Sequence, residues 1–391
     1  MNVGIIAEYN PFHKGHRLHI SNTLALTEAE NVIAVMSGCF VQRGEPAIAD
    51  KFLRTRAALI NGVDMVLELP VCYATGAADV FAFGAVDTLN KSGMIDIVSF
   101  GTEAGDIDLF KEAANLLNNE TPAFKAALHK RLNEGISYAA AREGALSEIL
   151  SRDMSFLSKS NNILALEYLR ALDRLKSTIL PVTIKREVNA YNSRTMTGEI
   201  SSAAAIRHSL YNCETDIALS AIPSNCYDIL KEVLENKLPH IDLYTDALKY
   251  ILRTENPQDL ALIDGITEGL ENRIPSITAF ESITELANAV KSKRYTHSRV
   301  RRALLHILLD IKKTDIDMTN GVKYIRVLGF KRSKAHLVSE LAEKAKVPVI
   351  TNVKNAPKGL YDKEIFATNM YYMPLSGAVN KDLTEPLVIV E

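Results

Sequence analysis

The feature that most constrains this chain is a rhythm in its first two hundred residues, where short apolar runs are each followed by a stretch with helical spacing. "NVGIIAEY" (2–9), "NVIAVMSG" (31–38), "DMVLELP" (64–70) and "IDIVSFG" (95–101) are nearly continuous in Val, Ile, Leu and Met rather than alternating with polar residues. A run of that kind is a strand covered on both faces, and strands separated by helices pair in parallel. The intervening helices are "HKGHRLHISNTLAL" (13–26), "DKFLRTRAALING" (50–62) and "DVFAFGAVDTLNKSG" (79–93), the last two closed by Gly62 and Gly93. "SNNILALEYLRALDRL" (160–175), "STILPVTIKR" (177–186) and "EISSAAAIRHSL" (199–210) continue the series as helix, strand and the entry to another helix. The expected fold is α/β, a doubly wound, Rossmann-like parallel sheet.

After about residue 211 the alternation fades. The pattern is mostly helical to about 315, then mixed, with strand-like "VKYIRVLGF" (322–330) and "VPVITNV" (347–353) around a helix near 334–346. This predicts a boundary near 211, with an α/β domain over 1–210 and a mainly α-helical domain over 211–391. The net charge of −2 means that a nucleic acid would be held by a local basic surface and not by the whole molecule. The four cysteines, Cys39, Cys72, Cys213 and Cys226, form no C-x-x-C pair, so free thiols in a reducing cytosol are expected. No apolar stretch approaches the roughly 18 to 20 residues that span a bilayer. "NVGIIAEYN" has neither a charged leader nor a cleavage site. A cytoplasmic protein without a membrane partner is the expectation.

The chemistry concentrates in "AEYNPFHKGH" (7–16). In a doubly wound sheet, ligands sit beyond the carboxyl ends of the strands, where helix N-termini present free N–H groups. Pro11 ends the first strand, Gly15 permits close backbone approach, and His13 and His16 fall at the first helical turn. A metal would need further ligands and usually takes histidines at i, i+4. Two surface histidines at a helix start are the plain alternative. A pair that contacts phosphate fits the position best.

"HKGH" resembles the H-x-G-H signature of the nucleotidyltransferase superfamily, and "ISSAAAIR" (200–207) resembles its I-S-S-T-x-x-R element. Typical members read G-[ST]-F-D-P-x-H-x-G-H; this chain has Glu8 at the hydroxyl position, where a carboxylate would repel a phosphorylated acceptor. Longer stretches are similar to the tRNA(Met) cytidine acetate ligase family: "GIIAEYNPFHKGH", "VMSGCFVQRGEPAIADKFLRTRAALINGVDMVLELP", "SFGTEAGD", "SNNILALEY", "SSAAAIR" and "SKRYTHSRVRR". The resemblance implies an ATP-dependent ligase that activates acetate as acetyl-adenylate. The acetyl group then passes to N4 of the wobble cytidine of elongator tRNA(Met), releasing AMP and pyrophosphate.

It further implies roles for individual residues. His13 and His16 would stabilise charge at the α-phosphorus, with Ser201 and Ser202 holding the outer phosphates. Ala7, Glu8, Tyr9, Asn10, Pro11, Phe12, Lys14 and Gly15 complete the nucleotide-binding segment, the Lys14 side chain being expected to face solvent. Arg207 adds charge at the phosphates or is a solvated helix arginine. Gly101 leaves room for adenine or ribose, or simply makes a turn. Asn161 or Asn162 contacts the nucleotide, Asn162 being favoured of the two with an N-cap as its plain alternative, and Arg186 either does the same or makes an ion pair. "QRGEP" (42–46) borders the acetate site or forms a tight turn, and Asp50 and Lys51 cap and begin the next helix.

From Lys291 to Lys313 eight Lys/Arg residues face one acid, Asp310. Lys293, Arg294, Arg299 and Arg302 are expected to meet RNA phosphates and Tyr295 to stack on a base, with a solvated charged face as the alternative. "FKRSKAH" (330–336) adds a second basic cluster. Magnesium is expected with ATP, without nameable protein ligands, and no protein partner is implied. The alternatives are an enzyme adenylylating a small metabolite and an RNA-binding protein with ATP as a switch.

Overall fold

A computed structural model describes residues 1–103, 106–185, 201–292 and 295–391. The first half runs β1 (Asn2–Ala7), α1 (Lys14–Thr27), β2 (Asn31–Ser37), β3 (Phe40–Val41), β4 (Glu45–Pro46), α2 (Lys51–Leu59), β5 (Met65–Leu69), α3 (Val71–Ala74), α4 (Ala78–Ser92), β6 (Ile97–Thr102), α5 (Ile107–Asn118), α6 (Pro122–Asn133), α7 (Tyr138–Leu150), α8 (Ser160–Arg174) and β7 (Leu180–Lys185). Then follow α9 (Ala203–Tyr211), α10 (Thr215–Ser220), α11 (Tyr227–Leu234), α12 (Thr245–Thr254), α13 (Pro257–Leu260), α14 (Leu270–Ser276), α15 (Ile283–Val290) and α16 (His297–Leu308). The chain closes with β8 (Ile325–Lys331), α17 (His336–Lys344), β9 (Val349–Ile350), α18 (Asp362–Tyr372), α19 (Lys381–Thr384) and β10 (Val388–Val390).

The main sheet has the order β10-β8-β5-β2-β1-β6-β7, with β9 also pairing β8. The five strands β5-β2-β1-β6-β7 are parallel, as the alternation of apolar runs with helices predicts. β2 and β5 are buried along their whole length. From β1 the chain adds β2 and β5 on one side and then returns to add β6 on the other. The switch point therefore lies between β1 and β6, where a ligand crevice belongs.

The expected boundary near residue 211 does not divide this sheet. β8 pairs antiparallel with β5, Met65 opposite Phe330 and Glu68 opposite Arg326, so residues beyond 211 extend the N-terminal sheet and make it mixed. The segment between is helical among the described residues, as its pattern predicts. Local rules set the ends of the elements: the Asp50 carboxylate caps α2 by accepting from the Phe52 and Leu53 N–H groups, and Gly93 closes α4 in the left-handed region.

Lys51 does begin α2, but its side chain is fully buried. Its Nζ lies 2.7 Å from Glu68 Oε1 on β5 and 2.7 Å from Asp382 Oδ1 on α19. Tyr361 joins the group, with its hydroxyl 3.2 Å from the same nitrogen. This knot fastens the C-terminal segment to the sheet.

Candidate active site

A cavity of about 500 Å3 opens at the carboxyl ends of β1 and β6. His13 and His16 stand at its edge in a geometry fixed by the start of α1. His13 is the N-cap, and its Nδ1 accepts the Gly15 N–H at 3.1 Å. The His13 N–H in turn donates to His16 Nδ1 at 3.3 Å. Each imidazole is thus tied down through Nδ1, which puts the proton of the neutral ring on Nε2. The two rings stack with centroids 3.7 Å apart and planes at 27°. A capping box ordinarily built from a hydroxyl and a carboxylate is here built from two imidazoles, and the pair becomes a set of Nε2–H donors beside a helix N-terminus. Tyr9 packs edgewise and Phe12 tilted on the His16 ring.

The opposite wall is the start of α9. Ser202 caps that helix by accepting from the Ala205 N–H at 3.1 Å, and both Ser201 and Ser202 line the cavity. Two helix N-termini therefore face one space, each favouring negative charge. Arg43 and Lys185 add cationic side chains to the lining. Phe81, Phe100, Leu164, Tyr168 and Ile184 form an apolar wall with Gly101 beside them, a surface on which a planar base can lie.

Two arginines hold the loops around this space. Buried Arg54 donates to the backbone oxygens of Ala49 at 2.9 Å, Glu8 at 2.6 Å and Ser37 at 3.0 Å, and also to Gly38 O. It stitches the ends of β1 and β2 together. Arg207 donates to Asn10 O at 2.7 Å and to Glu45 Oε1 at 2.9 Å. Glu45 also takes Arg301 of α16 at 2.8 Å. Burial opposes ionisation of Glu45, yet Arg207, Arg301 and Arg43 together hold its carboxyl below the usual range. Gly44 has φ +74°, and a Cβ there would meet the Arg301 backbone at 2.7 Å. Only glycine lets the β3–β4 hairpin press so closely on α16.

Of the residues the sequence singles out, Ala7, Glu8, Tyr9, Asn10, His13, Gly15, His16, Gly101, Ser201 and Ser202 line the cavity together. Pro11, Phe12 and Lys14 do not; Pro11 and Phe12 are buried behind the histidines. Arg207 is spent on Asn10 and Glu45, so it positions the loop and is absent from the lining. The two asparagines are placed differently. Asn162 is fully buried, its Oδ1 accepting from Glu103 N at 2.9 Å and its Nδ2 donating to Phe156 O at 2.9 Å. Asn161 is the one in the lining, with Nδ2 2.6 Å from Glu103 Oε1. Arg186 lies outside the described residues, as do Lys293 and Arg294.

The basic run also changes meaning. Tyr295 is buried, and its hydroxyl donates to Glu268 O, so it offers no face for a base. Arg299 pairs with Glu268 Oε2 at 3.1 Å and Thr267 Oγ1 at 2.6 Å. Arg302 is half-buried, and that burial lowers the affinity of its guanidinium for its proton, with Asp79 and Asp264 opposing. In "FKRSKAH", Lys331 pairs with Asp64 at 2.9 Å and Arg332 with Glu391 at 2.9 Å. Because β8 runs antiparallel to β5, that cluster sits at the end of the strands opposite the cavity.

His19, Asn22, Gln42, Arg43 and Lys185 line the cavity as well. His19 and Asn22 continue the face of His16 at i+3 and i+6 and were visible in the spacing. Arg54 and Arg301 act through partners remote in sequence, and nothing in their local pattern marks them.

A family model described as HIGH Nucleotidyl Transferase matches residues 1–385. A tRNA(Met) cytidine acetate ligase from Thermoanaerobacter sp. (strain X514) is 40% identical over 398 residues, covering 99% of each chain. The chain belongs to the tRNA(Met) cytidine acetate ligase family. Another member, from Clostridium perfringens (strain SM101 / Type A), is 40% identical over 404 residues, covering 99% of this chain and 100% of the other. Crystal structures of Thermotoga maritima TmcAL resemble this family member over 100% of its length and 99% of theirs. The apo form gives a TM-score of 0.93 at 34% identity, and the form bound with alpha-thio ATP gives 0.90 at 33%.

Proposed function

We propose that the protein activates acetate with ATP as acetyl-adenylate and transfers the acetyl group to N4 of the wobble cytidine of elongator tRNA(Met). The observation that carries this reading is the stacked His13–His16 pair, tied through both Nδ1 atoms, beneath two helix N-termini at the switch point of the sheet. A carboxylate oxygen attacks the α-phosphorus and pyrophosphate leaves. Charge grows on the phosphoryl oxygens, and the Nε2–H groups of His13 and His16 are donors already in place for it. The N-terminus of α9 and the hydroxyls of Ser201 and Ser202 hold the departing pyrophosphate.

Adenine is proposed to lie on the apolar wall near Gly101. The tRNA is proposed to approach across α16, whose Arg299 and Arg302 remain RNA-facing candidates beside the Arg301–Glu45 contact. tRNA as acceptor implies the cytoplasm, and no helix among the described residues is long and apolar enough to cross a membrane. The cavity lining holds one carboxylate, and no group of three or more metal-ligating side chains occurs among the described residues. Magnesium bound with ATP would be held by phosphate oxygens and water.

Acetate-dependent ATP–pyrophosphate exchange in the absence of RNA is the first test. Mass analysis of nucleosides from tRNA incubated with the protein, ATP and labelled acetate is the second, with labelled N4-acetylcytidine expected. Absence of exchange with acetate and with other short carboxylates would refute the reading.

A further inference from the structure

Acyl transfer to an aromatic amine leaves a proton to be placed. The N4 nitrogen of cytosine attacks the acetyl carbon, a C–N bond forms, and the C–O bond to the adenylate breaks with its electron pair on AMP. One N4 proton must then leave, because the nitrogen cannot remain cationic in the amide product. We propose that the Glu8 carboxylate takes that proton, acting as the general base of the transfer step. This rests on the ligase reading above.

Among the other polar side chains of the cavity, His13, His16, Arg43 and Lys185 are poorly suited to the task. His13 and His16 have their Nδ1 lone pairs engaged by backbone N–H groups and carry their protons on Nε2, so they donate and do not accept. His19 Nε2 lies 3.4 Å from Ser99 Oγ. Arg43 and Lys185 are cations with no lone pair to offer. Among the described residues, Glu8 is the one carboxylate in the lining.

Glu8 is also held without being used up. Its Oε1 accepts the Gln42 N–H at 2.9 Å, and its own carbonyl is fixed by Arg54 at 2.6 Å. Its hairpin neighbour Glu45 is locked between two guanidiniums, whereas Glu8 has no ion pair of that kind among the described residues. The charged and titratable groups around it are Arg43 and Glu45 on the hairpin, Arg207 on α9, Arg54 on α2, and His13 and His16 at the start of α1. Burial is the largest influence and raises the Glu8 carboxyl above the ordinary carboxylate range, against the Gln42 hydrogen bond and the two arginines Arg207 and Arg43. A carboxylate shifted in that direction is a stronger base than an ordinary one.

The test separates the two half-reactions. Enzyme carrying preformed acetyl-adenylate is mixed with tRNA in a single turnover from pH 5 to 9, and acetate-dependent ATP–pyrophosphate exchange is measured in parallel. For the wild type the transfer rate should rise with pH through one ionisation above the ordinary carboxylate range. Glu8→Gln keeps an oxygen for the Gln42 N–H; it should lower transfer by about 10²- to 10⁴-fold and flatten the pH profile. Exchange measured at saturating ATP should fall far less than general-base loss takes from transfer. Glu8→Asp should regain part of the rate together with the pH-dependent rise. Equal loss of exchange and transfer in Glu8→Gln, a pH rise that persists without the carboxylate, or no recovery in Glu8→Asp would each overturn the assignment. A wild-type protein without acetate-dependent exchange would instead sink the ligase reading itself.

Discussion

Replacing Lys51 with Met tests how the C-terminal segment is fastened to the sheet. Lys51, Glu68 and Asp382 have side chains no more than 1% exposed, with both carboxylates 2.7 Å from the ammonium. Burial alone would lower the lysine pKa, but Asp382 and Glu68 override it and hold it above its ordinary value. Methionine fills most of the volume and removes the charge, leaving two carboxylates facing each other in a dry pocket. Removing one partner of a buried pair costs about 3–5 kcal/mol. Proton uptake limits that cost, since like charges at close range do not both stay ionised. Protonating one carboxylate costs roughly 1.4 kcal/mol for each pH unit above an unfolded pKa of about 4. The expected loss is therefore about 1–2 kcal/mol at pH 5, rising to the full cost of about 3–5 kcal/mol at pH 8, where protonation costs too much to relieve it. The sign follows from linkage: a carboxyl with a raised folded-state pKa contributes stability that is lost as pH rises. Urea unfolding of both proteins at pH 5, 6.5 and 8 measures it. A loss below about 1 kcal/mol at pH 8, or the same loss at pH 5 and pH 8, would refute the reasoning.

Two further outcomes are expected. Ala at His13 or His16 should lower acetate-dependent exchange by about 10²- to 10³-fold with a much smaller change in ATP affinity; a loss explained wholly by ATP affinity would deny the pair its part in the transition state. Glu364 accepts from the Val71 N–H at 3.0 Å and the Tyr324 hydroxyl at 2.7 Å. Burial, and then the charge of Glu68, push its carboxyl from an ordinary 4.5 up to about 8. Its contribution to stability is present below about 4.5 and lost as pH rises through about 8. The melting temperature of Glu364→Gln should therefore gain on that of wild type between those two values.

How much of this was legible depended on whether the signal was local. The unbroken runs at 31–38 and 64–70 marked buried parallel strands, because burial on both faces removes the alternation that one wet face imposes. Asp50 announced its helix because a cap acts within three residues. The histidine pair was legible for the same reason, since an N-cap and the residue three positions on meet wherever a helix begins. The fate of "VKYIRVLGF" was not: a strand-like run does not say which sheet it joins, and β8 found β5 some 260 residues away. Asn161 and Asn162 look alike in sequence, and only the packing of α8 against Glu103 sends one into the cavity and the other into the core.

The sequence by itself determined the doubly wound half of the sheet and the histidine pair at the start of its first helix, because each follows from periodicity or from bonds spanning a few residues. Tertiary structure alone decided that Arg54 would stitch two strand ends, that Arg207 and Arg301 would meet on Glu45, that Tyr295 would be buried, and that Lys51 would lie dry between two acids. Those pairings are made by segments far apart in the chain. The charge of a side chain records that it needs a partner or water, and only the folded chain settles which of the two it receives.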